Sequence, residues 1–346
     1  MNIKIGKHTI SKLNRPFVIA EMSGNHNQSL QRALEIVDAA ANNGAHAIKL
    51  QTYTAETITI KGAYTIKDDK SLWNGKELYD LYNQAFTPWE WHKPIFERAR
   101  LKGIEVFSSP FDETAVDFLE ELNVPAYKIA SFENTHWPLL KKVARTGKPI
   151  IMSTGVSSLC DLDESVRILR DNGCKRLILL KCTSTYPASP ESTNLMTIPH
   201  LASMFNCHVG LSDHTMGIGV SIAAVALGAT VIEKHFTLNR ADGGVDSAFS
   251  IEPDELSNLV TETERAFLAI GKINYELSYD EEKNQMFKRS IYASSDIHKG
   301  EIINHDNIKI IRPGFGLQPK YFNVIIGRKA KIEIKKGTPF NWSMID

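Results

Sequence analysis

Two stretches of similar build end on an imidazole. "GLSDHT" (210–215) and "VIEKHF" (231–236) both begin as apolar strands, turn polar, and place His214 and His235 near their ends. Ser212 and His214 share strand parity, as do Glu233 and His235, so each pair projects to one face of its strand. Two neutral imidazoles with open positions beside them suit a divalent cation that polarises a carbonyl oxygen. Hydrogen-bonded core histidines are the alternative, and no HExxH or Cys/His finger spacing decides between them.

Lys49 in "AIKLQT" and Lys128 in "AYKIAS" carry a second kind of chemistry. An ammonium inside an apolar run is costly unless an anion compensates it. Ser109, Ser131, Ser153, Ser184 and Ser212 end neighbouring apolar runs, and Gln51 and Lys181 lie at similar places. Hydroxyls and ammoniums at one rim fit a phosphate or carboxylate through neutral and charge-assisted hydrogen bonds. The chain has no P-loop, so side chains and strand-end amides would hold such an anion. Internal pairing of the lysines with Glu21 or Glu233 is the structural alternative.

These residues need a scaffold that gathers strand ends. Eight apolar runs recur at 17–21, 47–52, 104–109, 126–131, 149–154, 177–184, 208–213 and 230–236. Their near-continuous hydrophobicity suits strands covered on both faces, as in a parallel sheet. The intervening segments read as helices. The segment "SLQRALEIVDAAANNG" offers Ser29 as N-cap and Leu30, Ala33, Leu34 and Val37 at helical spacing. Gly44, Gly103, Asn123, Gly147, Gly173, Asn206 and Gly228 supply helix stops of the type that enters the left-handed conformation cheaply. The repeat predicts an α/β protein, a (β/α)8 TIM barrel with the strand C-termini forming the active face. A doubly wound open sheet is the runner-up, without its usual GxGxxG loop.

The rhythm changes near residue 272. The reading gives 1–272 as a barrel preceded by a short N-terminal β-hairpin, 273–284 as a charged linker, and 285–346 as a small β-rich unit punctuated by "HKG", "RPG" and "KKG". Residues 53–95 read as an insertion that shapes the pocket. Lys plus Arg and Asp plus Glu both number 40, so no net charge favours nucleic acid or an anionic membrane. There is no apolar run of membrane-spanning length and no secretory pattern in "MNIKIGKHTI". Cys160, Cys174, Cys182 and Cys207 lack CxxC spacing and read as buried free thiols in a reducing cytoplasm.

"IAEMSGNH", "AIKLQTY", "FSSPFD", "AYKIASFE", "IIMSTG", "KCTSTYP", "GLSDHTMG", "VIEKHFTL" and "IRPGFGL" together resemble the sialic acid synthase family, in order and spacing, over essentially the whole chain. The resemblance implies a barrel with a C-terminal antifreeze-like (SAF) domain, and condensation of phosphoenolpyruvate with an N-acetylated amino sugar. "LWNGKELYDLYNQAFTPWEWH" and "KCTSTYP" resemble the branch that takes a 6-deoxy diacetamido sugar of L-altro configuration. Branches making N-acetylneuraminate or legionaminate by the same mechanism are the alternative. A metal-dependent aldolase using free pyruvate and a non-catalytic carbohydrate-binding protein are remoter ones.

By the same resemblance, His214 and His235 hold a divalent cation, Mn2+ or Mg2+, and Glu21 handles the attacking water or its proton. Phosphoenolpyruvate contacts fall on Lys49, Ser109, Lys128, Ser131, Ser153, Ser184 and Ser212. Gln51, Tyr186 and Asp246 match sugar-side positions. Arg312 matches an arginine that the SAF domain presents to the partner subunit's pocket, which implies a homodimer. Ser109 and Ser184 stand where the family often has Thr and Asn, and Val245 where it more usually has proline.

Overall fold

Each of the eight apolar runs forms a strand of one closed, all-parallel barrel in the computed structural model of the protein, which describes residues 2–69 and 72–346. A two-stranded antiparallel hairpin, β1 (Ile3–Ile5) and β2 (His8–Ile10), precedes it. The barrel strands are β3 (Phe17–Glu21), β4 (Ala47–Thr52), β5 (Glu105–Pro110) and β6 (Tyr127–Ile129), then β7 (Ile150–Ser153), β8 (Leu177–Cys182), β9 (His208–Asp213) and β10 (Val231–His235). They neighbour one another in chain order, and β10 pairs with β3 to close the ring. Several strands are shorter than the apolar runs suggested. β6 stops at Ile129, and Ser131–Glu133 then makes a turn of 3-10 helix.

Helices α1 (Leu30–Asn42), α2 (Ala55–Ile58), α3 (Leu78–Ala85), α4 (Trp89–Lys102), α5 (Glu113–Glu121) and α6 (Trp137–Arg145) fill the first connections. The remainder hold α7 (Leu159–Asp171), α8 (Thr197–Phe205), α9 (Gly219–Ala226) and α10 (Pro253–Ile270). Ser29 caps α1 by accepting from the Arg32 amide. All seven expected stop residues take positive φ, Gly103 at 76° closing α4 and Asn206 at 46° closing α8. The insertion is shorter than the 53–95 expected. Its last residues, from Trp89 on, are the first turns of α4, which begins after Pro88 because a proline is tolerated at a helix start. Lys70 and Ser71 of that insertion lie outside the described residues.

Strand alternation explains how an apolar barrel carries a polar mouth. In β4 the outward Ile48 and Leu50 are fully buried in the main core, while Lys49 and Gln51 point inward. Each such aliphatic contributes roughly 1.5–3 kcal/mol by leaving water. Packing between strands leaves no spare room at Gly210, where a Cβ would stand 2.1 Å from the Val231 carbonyl oxygen.

Contacts divide the chain into units of residues 1–271 and 272–346. The second unit has its own core, including Ile291, Ile297, Ile308, Leu317 and Phe340. Its expected β-rich character reduces to one antiparallel pair, β11 (Ser290–Ala293) with β12 (Ile308–Ile311), plus isolated bridges such as Ile297 to Ile334 and Ala330 to Ile345. The Gly turns recur too closely for longer ladders. The segment expected as linker, 273–284, holds a short helix, α11 (Tyr279–Asn284), begun by a Ser278–Glu281 capping box. Among the described residues no helix is long and apolar enough to cross a membrane. The four cysteines are free, but only Cys174 and Cys182 are buried; Cys207 is half-buried and Cys160 is exposed in the first turn of α7.

Candidate active site at the barrel mouth

Strand register brings the candidates together. Glu21 is the Cα partner of Lys49 across β3 and β4, and of His235 across β3 and β10. Gln51 pairs with Ser109, and Glu233 with Ser212. The Lys49 ammonium lies 2.6 Å from Glu21 Oε2 and 3.6 Å from Glu233 Oε1, and donates to Ser109 Oγ at 3.3 Å. Lys128 Nζ approaches the same Glu233 Oε1 at 3.3 Å. Internal lysine–carboxylate pairing, the structural alternative at the sequence level, is therefore the arrangement present. All four groups are buried, two cations against two anions. A buried set of this kind stands only because each charge has a partner.

The four respond differently to burial. Burial pushes the Lys49 ammonium toward neutrality, but Glu21 and Glu233 outweigh it and hold its pKa above the ordinary lysine value. Lys128 is left below that value by burial, which Glu233 offsets only in part. Burial raises the Glu21 carboxyl above the usual carboxylate range against the pull of Lys49. Burial acts the same way on Glu233, yet Lys128 and Lys49 together keep it below that range.

Beside the ion network lies a nest of hydroxyls. Ser153 Oγ is buried and has no hydrogen-bond partner among the described residues. Ser131 and Ser184 converge over Gly155, where a Cβ would come within 2.7 Å and 2.2 Å of their respective Oγ atoms. Ser212 Oγ donates to Glu233 Oε1 at 3.5 Å. Lys181, grouped with the rim at the sequence level, turns away. Its ammonium donates to the Cys182 carbonyl at 3.0 Å and to Thr183 Oγ1 at 3.2 Å.

The two imidazoles stand face to edge, ring centroids 5.3 Å apart. His214 Nδ1 lies 3.0 Å from the Thr183 carbonyl oxygen and donates its proton there. Burial disfavours a charged ring, but Cys182 and that carbonyl outweigh it and hold its pKa above the ordinary histidine value. Burial first, then the neighbouring His214, holds His235 well below the ordinary histidine range and so neutral. Among the described residues its buried Nδ1 has no hydrogen-bond partner, and Asp246 Oδ2 lies 4.0 Å away. The neutral His235 ring with its unsatisfied buried Nδ1, beside His214, fits a divalent cation, which on binding would take the place of the second proton that Cys182 and the Thr183 carbonyl favour on His214. Among the described residues no set of three or more His, Cys, Asp or Glu converges for a metal, so the protein offers two imidazoles and leaves the other positions open.

Adjoining His235, Gln51 Nε2 donates to Glu21 Oε1 at 2.9 Å and to Ser23 Oγ at 3.0 Å, and Ser23 Oγ donates to Asp246. Tyr186 packs on His214 at 4.4 Å between ring centroids, and Trp73, from the insertion, packs on Tyr186 at 5.8 Å. Arg312 belongs to the second unit, exposed just after β12.

Ser23, Glu133 and Cys182 were not singled out by sequence. Burial lifts the Glu133 carboxyl to about 7, against the charges of Lys128 and Lys49. Cys182, read as a structural thiol, has Sγ 4.0 Å from His214 Nδ1 and 3.5 Å from Ser184 Oγ. Despite burial, His214 draws that thiol down to about 6. The available signal was position: Glu133 sits two residues past Ser131, and Cys182 shares parity with Ser184.

Comparison with known proteins agrees with this geometry. The model of the NeuB family matches residues 36–275, and that of the SAF domain matches residues 288–346. A pseudaminic acid synthase of Campylobacter jejuni is 44% identical over 338 residues, 97% of each chain. One of Helicobacter pylori is 41% identical, covering 95% of this chain and 97% of its own. The crystal structure of N-acetylneuraminic acid synthetase from Leptospira borgpetersenii, in complex with citrate, superposes with a TM-score of 0.74 at 34% identity, covering 82% of this chain and 95% of that one. A parallel barrel whose strand ends carry this lysine, serine and histidine set, followed by a SAF domain, thus belongs to the NeuB family.

Proposed function

We propose that this protein is a pseudaminic acid synthase. It condenses phosphoenolpyruvate with 2,4-diacetamido-2,4,6-trideoxy-L-altrose, giving pseudaminic acid and inorganic phosphate. The observation that carries the chemistry is the dry mouth itself, where two imidazoles 5.3 Å apart adjoin buried lysines and a nest of serine hydroxyls. The choice of sugar is supported by the two relatives of that name, at 44% and 41% identity over nearly the whole chain.

Lys49 and Lys128 bind the anionic groups of phosphoenolpyruvate, and Ser109, Ser131, Ser153, Ser184 and Ser212 orient it with hydroxyl donors. Because the site excludes water, these charge-assisted contacts are stronger than at a surface. Gln51, Tyr186 and Asp246 hold the open-chain sugar so that its aldehyde carbon faces the enol carbon, and this proximity removes much of the entropic barrier. His214 and His235 would hold a divalent cation, Mn2+ or Mg2+, which when bound supplies Lewis acidity toward the aldehyde oxygen. The enol carbon forms the new C–C bond, and the aldehyde oxygen, left as an alkoxide, becomes a hydroxyl by taking the proton that the attacking water releases through Glu21; the proton of the added hydroxyl leaves with the phosphate. Water adds to the carbon that bears phosphate, giving its proton to Glu21, whose raised pKa makes it a better base than an ordinary carboxylate. Collapse of that tetrahedral centre breaks the C–O bond and expels phosphate.

The reading includes a homodimer in which the Arg312 guanidinium of one subunit serves the sugar pocket of the other, within a cytoplasmic enzyme whose thiols stay reduced. The test mixes purified protein, Mn2+ and phosphoenolpyruvate with each candidate acceptor and follows phosphate release. Preference for the L-altro 6-deoxy sugar supports the assignment, whereas preference for N-acetylmannosamine or the legionaminate precursor reassigns the branch. Phosphoenolpyruvate labelled with 18O at the bridging oxygen should deliver that label to phosphate. Light scattering and an Arg312→Ala variant address the dimer.

A further inference from the structure

Immediately after β3 the backbone of Ser23 takes φ of 46°, the left-handed region that glycine enters freely and serine does not. The residue is buried. Nothing in the backbone there calls for a side chain, and a glycine would relax it. What the serine adds is one hydroxyl, and that hydroxyl is fully engaged. Its Oγ donates to Asp246 Oδ2, on the loop after β10, and accepts from Gln51 Nε2, on β4, at 3.0 Å. The same Gln51 amide reaches Glu21 Oε1 at 2.9 Å, and the same Asp246 oxygen lies 4.0 Å from His235 Nδ1. One side chain therefore ties together a strand and a loop 223 residues distant from it in sequence. Backbone strain retained at such a point is evidence of a role for the group that it carries.

We infer that Ser23 is a positioning residue for the acceptor sugar, holding the Gln51 amide and the Asp246 carboxylate at the spacing that selects among N-acetylated sugars. The inference rests on the synthase reading above. Without the hydroxyl, Asp246 and Gln51 lose their common partner, and a polar site built to match specific sugar hydroxyls discriminates through just such fixed partners. Phosphoenolpyruvate meets the lysines and serines instead, so its binding does not depend on this tie.

Ser23→Gly separates the strain from the hydroxyl, since it relieves the first while removing the second. Expected for Ser23→Gly is a melting temperature at or above that of the wild type. The KM for phosphoenolpyruvate stays unchanged, the KM for the acceptor sugar rises on the order of tenfold or more, and the kcat/KM ratio between acceptor sugars narrows. Calorimetry of acceptor binding to the phosphoenolpyruvate-loaded protein in excess chelator, where no turnover occurs, should show the same weakening. Ser23→Ala, which keeps the strained backbone, should match Ser23→Gly in kinetics while melting below it. Acceptor KM and sugar preference unchanged in both variants overturn the inference, as does an equal rise in both KM values. If the wild type releases no phosphate with any N-acetylated sugar, the synthase reading falls first and this inference with it; the wild-type assay alone distinguishes that case.

Discussion

Replacing Gly155 with alanine tests the hydroxyl nest with a single methyl group. Its φ lies outside the left-handed region, so alanine fits the backbone without strain. The added Cβ would stand 2.2 Å from Ser184 Oγ and 2.7 Å from Ser131 Oγ, well inside the ordinary 3.4–4 Å contact. The backbone has little freedom to retreat, because Asn134 Nδ2 donates to the Gly155 carbonyl at 3.1 Å and Ser157 Oγ at 3.3 Å. The serines must give way, and as the ends of short side chains they do so by turning their hydroxyls aside. Each hydrogen bond to a charged phosphate is worth about 1.5–3 kcal/mol, so the loss of two costs roughly 3–6 kcal/mol. Even the lower figure raises the dissociation constant of phosphoenolpyruvate by more than about a hundredfold. Calorimetric titration with phosphoenolpyruvate alone measures this without the sugar, and a thermal melt close to that of the wild type shows that the fold survives. A folded Gly155→Ala protein that binds phosphoenolpyruvate normally would refute the assignment of Ser131 and Ser184 to the phosphate.

Three further outcomes are expected. His214→Ala and His235→Ala should each weaken Mn2+ binding, followed by the EPR signal of the free ion, at least tenfold, and chelator should abolish turnover reversibly; turnover indifferent to chelator contradicts the two-imidazole site. Lys234→Met leaves Asp213 buried without the ammonium now 3.0 Å away and should cost about 3–5 kcal/mol of stability in urea unfolding, with Asp213→Asn in the same chain recovering part of it. Finally, burial holds His26, His46 and His92 at about 4, against 6.5 unfolded. Their contribution is fully present above pH 6.5 and drains as pH falls toward 4, about 2 kcal/mol per histidine between pH 7 and pH 5. A His92→Gln variant should show a correspondingly flatter urea midpoint against pH, and an unchanged slope would contradict the shift.

Much of this site was legible because strand parity is a local rule. Ser212, His214, Glu233 and His235 could be assigned to one face from their spacing alone, and the rings do meet. Register between strands is not local. Whether Lys49 finds an anion from substrate or from Glu21 depends on how β3 and β4 align, and only the closed barrel shows Glu21 opposite Lys49. Parity also fails where a strand stops early. β6 ends at Ile129, the next residues turn as a 3-10 helix, and Glu133 enters the site from a backbone that no period-two reading describes. Ser23 was hidden for a related reason, since its role follows from a positive φ and from a partner on a distant loop.

The internal pairing of the buried lysines is compatible with the proposed anion binding. Lys49 is closely held, 2.6 Å from Glu21, and its net shift is upward, the mark of a cation with sufficient compensation. Lys128 is different. Its one ion pair among the described residues is to Glu233 Oε1 at 3.3 Å, an oxygen that Lys49 also approaches at 3.6 Å, and burial still leaves its pKa depressed. An ammonium has three donors, and a dry site penalises every one left unused. Lys128 is thus the less compensated of the two ammoniums, and the Ser153 hydroxyl has no hydrogen-bond partner among the described residues. On the proposed reading, an arriving phosphate would supply what both can still accept. It would also add negative charge beside two carboxylates, raising the cost of keeping Glu21 ionised and so strengthening it as the proton acceptor when water is activated. The carboxylates hold the lysines in place in the free protein, and on the proposed reading the imbalance between the two lysines would direct the anion to the side of the mouth that carries the serines.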